Sequence, residues 1–402
     1  MKDTIKSSPL AGKSVFLSDN ISTLGVETSC SSKMLKGYVP VFNATVAERL
    51  EKAAIKIAGK LNIDEFGIAE WSGANTSATT KAIAEAFSSG QTQLALVSDT
   101  GGEIRQASAY CGLTGIKPSY GAVSRYGLIA NASSLEQIGV IGRNIEDCAA
   151  LLSIISGSDG KDGTCVMEKP FEFSSVFSSP KIGLPRNYID SFHDEESKSA
   201  IKAAKKIFEE AGAAFEEFDM PLMDYILPIY YTIASAEASS NLSKYDGLKY
   251  GHRSTDAKSL SDVYRFSRSE GFGWEVKKRI MLGSLVLSSE YYESYCLKAM
   301  QTRSLVINAY KDLFRHFDMI FSPVGDVYNV SANLAGLPSV TLPCGFDGQG
   351  MPVDFQSADF QSVGFQLIGS AFSEDTLIGA AQVFQRRTAF HKTQPNESGA
   401  AT

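Results

Sequence analysis

Four short runs constrain the fold most: Leu94-Ala-Leu-Val97, Ile182-Gly-Leu184, Met319-Ile-Phe321 and Val340-Thr-Leu342. Each is mostly apolar along its length and bounded by turn residues. A strand reads this way when both of its faces are buried, as in a sheet covered by helices on each side. Between such runs the apolar period changes to a helical one. Thr45-Val-Ala-Glu48 has the form of a capping box, and Val46, Leu50, Ala53 and Ile57 then recur at helical spacing until Gly59. A second helix is predicted from about Glu196, with Ile201, Ala204, Phe208 and Ala211 on one face and Gly212 as its stop. The expectation is one α/β domain over residues 1–392, with a central mixed β-sheet covered by helices on both faces, and a flexible tail over 393–402. Residues 70–80 and 347–363 lack periodicity and read as surface loops; the second contains the near-duplication Asp354-Phe-Gln-Ser and Asp359-Phe-Gln-Ser.

Composition excludes several classes. With 44% hydrophobic and 21% charged residues among 402, the balance is that of a soluble globular chain. No apolar stretch is long enough to span a bilayer, and the start lacks a signal-peptide core, so a cytoplasmic location is expected (organellar if eukaryotic). The net charge of −7 comes without a basic run, which argues against direct nucleic-acid binding. The six cysteines form no CxxC pair and read as reduced, buried thiols. The four histidines lack metal-ligand spacing, so no metal and no cofactor is expected.

The most informative stretch is Ser98-Asp-Thr-Gly-Gly-Glu-Ile-Arg-Gln106, followed by Cys111-Gly-Leu-Thr-Gly-Ile-Lys-Pro-Ser-Tyr-Gly121. A strand running into Thr100-Gly101-Gly102 can turn its backbone N–H groups into one pocket, as an oxyanion hole or anion nest does. A tight structural turn is the equally open reading. In context the stretch resembles the amidase signature, Ser-Asp-Thr-Gly-Gly-Ser-Ile-Arg followed by Gly-Leu-Lys-Pro-Thr-Tyr-Gly. Val123-Ser-Arg-Tyr-Gly-Leu128, Ser133-Ser-Leu-Glu-Gln-Ile-Gly139, Ser267-Arg-Ser-Glu-Gly-Phe-Gly273 and Asn333-Leu-Ala-Gly-Leu-Pro338 extend the resemblance, in order, to the branch of glutamyl-tRNA(Gln) amidotransferase A subunits. It covers roughly residues 10 to 390 and implies the amidase-signature fold.

The resemblance also implies a Ser–cis-Ser–Lys triad, and this chain departs from it at every position. The nucleophile position after Gly-Gly is Glu103. The bridging serine belongs to a glycine-rich stretch; counting back without gaps gives Thr79, in Ser77-Ala-Thr-Thr-Lys-Ala82, where the glycines are gone. The lysine position is Ser18, in Leu17-Ser-Asp-Asn-Ile21, and Lys13 is five residues away on the opposite strand face. Of the implied substrate pocket, Arg279 and Tyr230 remain. The segment expected to carry an ammonium-binding aspartate before Asn333 reads as absent, and the chain is shortened at its N-terminus and before the bridging-serine position.

Losing one triad member typically costs about 10⁴–10⁶ in turnover. The first expectation is therefore a pseudoenzyme that neither binds nor hydrolyses glutamine, acting as a structural or regulatory partner of the amidotransferase B and C subunits or of an intact A-type paralogue. The alternative is an active amidase or glutaminase supplying ammonia for Gln-tRNA(Gln) formation with rebuilt residues: Ser77, Thr79 or Thr80 with Lys81, and Glu103 as general base. A decaying gene would account for missing segments but not for Ser18 and Glu103 inside otherwise matching motifs.

Overall fold

The computed structural model describes residues 9–69, 77–174, 177–186, 188–189, 195–220, 222–345 and 364–392. Ten strands form one sheet: β1 Ser14–Ser18, β2 Lys56–Leu61, β3 Leu94–Asp99, β4 Thr114–Lys117, β5 Gln137–Gly142, β6 Lys181–Pro185, β7 Ala214–Phe218, β8 Met319–Pro323, β9 Ser339–Pro343 and β10 Gly364–Gly369. Their order is β2-β1-β3-β5-β4-β9-β10-β8-β6-β7. Parallel pairs at both ends flank an antiparallel centre, so the sheet is mixed. The four apolar runs are β3, β6, β8 and β9, as their two-sided hydrophobicity predicts.

The helices described are α1 Thr45–Lys52, α2 Ala78–Ser88, α3 Glu103–Tyr110, α4 Ile145–Ile155, α5 Glu195–Glu210, α6 Met223–Asn241, α7 Leu260–Gly271, α8 Trp274–Val286, α9 Lys298–Leu313, α10 Asp326–Leu334 and α11 Glu374–Arg387. Strand side chains alternate between two helical layers. Leu94 and Leu96 of β3, Met319 and Phe321 of β8, and Phe365 and Leu367 of β10 pack with α1, α4, α5 and α11. On the opposite face, Ala95 and Val97 pack with α2 and α3, and Ile320 and Ile368 with α6, α9 and α10. All six cysteines are free and buried. No described helix is long and apolar enough to cross a membrane.

Three local expectations are corrected. Thr45 is the first residue of α1 rather than its cap: Ala44 holds that place without a side-chain bond, and the Thr45 hydroxyl bonds to Asp159. The helix also ends early, at Lys52. Ala54 adopts a positive φ of 56°, and Ile57 and Gly59 belong to β2. The stretch 77–80 is not a loop, because Ser77 caps α2 through Thr80 N. Residues 70–76, the 347–363 segment and the 393–402 tail lie outside the described residues.

Candidate functional site

β3 delivers the chain into the turn Thr100-Gly101-Gly102, and α3 starts at Glu103. Gly102 has φ +124°, and a Cβ there would lie 2.7 Å from Asn329 Cβ. Only glycine fits without strain. A Cβ on Gly101 would collide with the Tyr230 hydroxyl, so that tyrosine closes over the turn. The three N–H groups of the turn do converge, and the atom they converge on belongs to the chain itself. Glu103 Oε2 accepts from Thr100 N at 2.7 Å, Gly101 N at 3.0 Å and Gly102 N at 3.1 Å. The Glu103 side chain thus folds back and fills the nest.

Asp99 and Arg105 hold this turn from beneath. Asp99 accepts from Gly102 N at 3.1 Å and Ile104 N at 2.9 Å, capping α3. Arg105 meets Asp99 Oδ1 at 2.7 Å and donates to Asn329 O at 2.7 Å and to Asn333 Oδ1. Asn333 Nδ2 returns a bond to Asp99 Oδ1 at 2.8 Å. Burial by itself would raise the Asp99 carboxyl; Arg105, Lys117 and Asn333 outweigh it, and the group lies below the usual carboxylate range. Glu103 moves the other way. Burial, then the Asp99 charge, push its carboxyl up to about 7 against the three backbone donors. These carboxylates, one turn of chain apart, therefore hold protons differently: Asp99 is a fixed anion, and Glu103 titrates near neutrality.

Ser18 ends β1, fully buried, where its Oγ accepts from Ser98 N at 3.4 Å. Lys13 is 2.6 Å from Asp147 and engaged there. Thr79 lies buried in the first turn of α2; its hydroxyl donates to Asp64 Oδ2 at 2.9 Å and accepts from Asp64 N at 3.3 Å. Ser77 and Thr80 bond each other at 3.1 Å, while Lys81 is solvent-exposed. The described residues have no cis peptide bond.

Two lysines, half-buried Lys60 and fully buried Lys117, have no role that the sequence pattern assigns. Burial lowers Lys60 to about 8 and Lys117 to about 7. The Lys60 ammonium reaches Ile21 O, Ser18 O at 3.3 Å and Thr23 Oγ1 at 3.2 Å; that of Lys117 reaches Pro118 O at 3.0 Å. Their hydrogen bonds lead to those atoms and not to a hydroxyl at the glycine turn.

Beside the turn, Tyr230, Tyr231 and Arg279 come together. Arg279 Cζ sits 4.5 Å from the Tyr231 ring centroid, and the Tyr230 phenol feels both Glu103 and Arg279. The structure adds a carboxylate to this group. Asp326, first residue of α10, accepts from Gln106 Nε2 at 2.7 Å, and its field reaches Tyr231. Burial raises its pKa. This aspartate stands between Pro323 and Asn333. Its signal in the sequence is an acid directly after Gly325 at a helix start, in a shorter segment than the resemblance implies.

Residues 2–81 and 83–327 match the Amidase family model, and the chain belongs to that family. Within it the chain is homologous to the A subunit of glutamyl-tRNA(Gln) amidotransferase. It is 43% identical to the one from Lachnoclostridium phytofermentans, over 96% of this chain and 85% of the relative. To the one from Agathobacter rectalis it is also 43% identical, over 94% and 80%. The solved structure of the A subunit from Thermotoga maritima superposes with a TM-score of 0.75 at 32% identity, covering 96% of this chain and 86% of that one. The native peptide amidase of Stenotrophomonas maltophilia shares the fold at TM-score 0.76 and 23% identity, over 97% and 85%.

Proposed function

We propose that this chain is a non-hydrolysing member of its family, a structural or regulatory partner in a tRNA-dependent amidotransferase complex. The observation that carries the reading is the Glu103 carboxylate seated on the N–H groups of Thr100, Gly101 and Gly102. Oxyanion stabilisation requires those donors to be free for the charge that develops on the substrate. Here an internal oxygen occupies them, and the attacking position carries no hydroxyl. Ser18 offers no amine at the lysine position, and the Thr79 hydroxyl is committed to Asp64. The family's acyl transfer therefore lacks nucleophile, proton acceptor and oxyanion site together.

Partnership rests on homology to a protein named as one part of an amidotransferase. The partners this reading implies are the B and C subunits or an intact A-type paralogue. Co-expression with the B and C subunits, followed by affinity purification, is expected to recover a stable complex; a monomer that ignores them contradicts partnership.

A second reading keeps an active enzyme, and one observation favours it: a carboxyl titrating near 7 suits a general base at neutral pH. An amide panel including glutamine separates the two. The first reading expects no turnover. Turnover abolished by both Glu103→Ala and Lys81→Ala supports the second.

A further inference from the structure

The helix α8, Trp274-Glu-Val-Lys-Lys-Arg-Ile-Met-Leu-Gly-Ser-Leu-Val286, carries apolar residues on two opposite faces. Val276, Gly283 and Val286 are buried on one side. Gly283 approaches α6 so closely that a Cβ would overlap Ser235 O. Trp274, Met281 and Leu285 recur at intervals that set them on the other side, and they are 66%, 56% and 50% exposed. A helix apolar on both sides is normally covered on both. Lys278 completes the outer row. Positions 274, 278, 281 and 285 have the alternating four- and three-residue spacing of a coiled-coil seam, about 16 Å long at 1.5 Å per residue.

The polar groups along this row are already engaged within the chain. Lys278 Nζ lies 2.6 Å from Glu275, and Lys277 Nζ donates to Ser269 O at 2.6 Å. The Lys278 stem therefore adds carbon to the row. Ser284 donates to Ile280 O at 2.8 Å, and Ser288 to Leu285 O at 2.7 Å. More apolar surface borders the end of the helix, where Val286 shares a small buried cluster with Cys296 of the π-helical turn Tyr292–Leu297. Around it Leu287, Tyr295 and Met300 are exposed as well. At about 200 Å² for a large side chain, these three and the three of the row, each about half exposed, leave on the order of 600 Å² open. That reaches the top of the range of about 300–600 Å² for the largest apolar patch of a monomer. It approaches the ~800 Å² that each partner buries in a stable interface.

We propose that this face of α8 docks against the same face of a second copy of the chain, with the two helices antiparallel. Aligning Trp274 with Leu285 of the second copy also aligns Lys278 with its Met281. The indole then meets a hole formed by Met281, Ser284, Leu285 and Ser288 of the second copy, where the two serines leave room for it. Glu275 comes opposite Ser284 and Lys277 opposite Leu282, so these flanking charges meet no like charge. A parallel pair would instead stack Lys278 on Lys278. Because the lysines are engaged at home, the row offers little to a strongly acidic or basic surface and suits an apolar one that repeats it about a twofold axis. The inference stands apart from the question of hydrolysis, because it uses none of Ser18, Thr79 or Glu103.

The test is sedimentation velocity of the purified full chain at micromolar concentration, without B and C subunits. A species of twice 43.3 kDa is expected. Met281→Glu and Leu285→Glu each put a charge into the row and are expected to weaken association by about thirtyfold or more. Lys278→Leu removes its one polar member and is expected to tighten association by about tenfold, a gain that keeps the test decisive even if the glutamate variants fold poorly. Orientation is read by cross-linking with copper–phenanthroline in air. Trp274→Cys mixed with Leu285→Cys is expected to give a disulfide-linked dimer that neither variant gives alone. A chain that stays monomeric overturns the proposal. So does a dimer untouched by both glutamate variants, or cross-linking of each cysteine variant with itself. A monomeric chain whose complex with the B and C subunits is lost in Met281→Glu would assign the row to those subunits and overturn it as well.

Discussion

The underside and the open side of the Thr100–Gly102 turn obey different constraints. Underneath, Asp99, Arg105 and Asn333 are joined by an ion pair and hydrogen bonds, with Gly102 locked against Asn329. Above, the Glu103 carboxylate folds onto the turn, and Ser18 and Thr79 bond within their own neighbourhoods. A turn of this kind can thus be kept by folding requirements alone. The network beneath needs Asp99 and Arg105 whether or not any substrate is ever attacked.

Breaking the underside should cost most. Arg105→Ala leaves Asp99 charged, fully buried and unpaired, a situation that typically costs about 3–5 kcal/mol. Denaturant unfolding of the variant is expected to show a loss of that order, and a loss below about 1 kcal/mol would mean the network is not what holds the turn. Gly102→Ala comes next. It combines a φ of +124° with a clash against Asn329, and about 2 kcal/mol is the expected loss in the same unfolding series.

Changes on the open side should be smaller, and one should depend on pH. Glu103 has a folded pKa of about 7, above the 4.5 of its unfolded state. Between those values the folded protein binds more protons than the unfolded one, so stability falls as pH rises from about 4.5 to 7 and then levels. The side chain keeps partial contact with solvent, which trims the effect to about 1–2 kcal/mol. Glu103→Gln cannot ionise, so its stability relative to the wild type should rise across that window. A difference that does not change with pH would show that the three N–H groups hold the carboxylate ionised throughout. Ser18→Ala should change least, by about 1 kcal/mol or less, since its one bond to Ser98 N is long at 3.4 Å. A larger loss there would place Ser18 among the residues that hold the turn.

The centre of the sheet could be read from the sequence because β3 and β8 must satisfy helices on both faces, and that demand writes apolar residues along them. Helix ends were harder. The spacing from Val46 to Ile57 is helical, but a left-handed turn at Ala54 converts its tail into β2. The Thr45 hydroxyl, expected to cap α1, is taken instead by Asp159, a partner 114 residues away. At the site, the residue types at Ser18, Thr79 and Glu103 were legible directly. Where the Glu103 carboxylate goes was not, because that depends on three N–H vectors fixed by Gly102 and by the Asp99 cap. Asp326 stayed hidden for a related reason: it gains its meaning from Gln106 and Tyr231, neighbours brought close by the fold.

The most direct test of the central claim is to incubate the purified chain, alone and together with the B and C subunits, with glutamine in ¹⁸O-labelled water and to follow glutamate by mass spectrometry. A nest filled by Glu103 predicts no ¹⁸O-glutamate above the protein-free rate. Labelled glutamate that accumulates with enzyme concentration and disappears in Glu103→Ala would contradict the account.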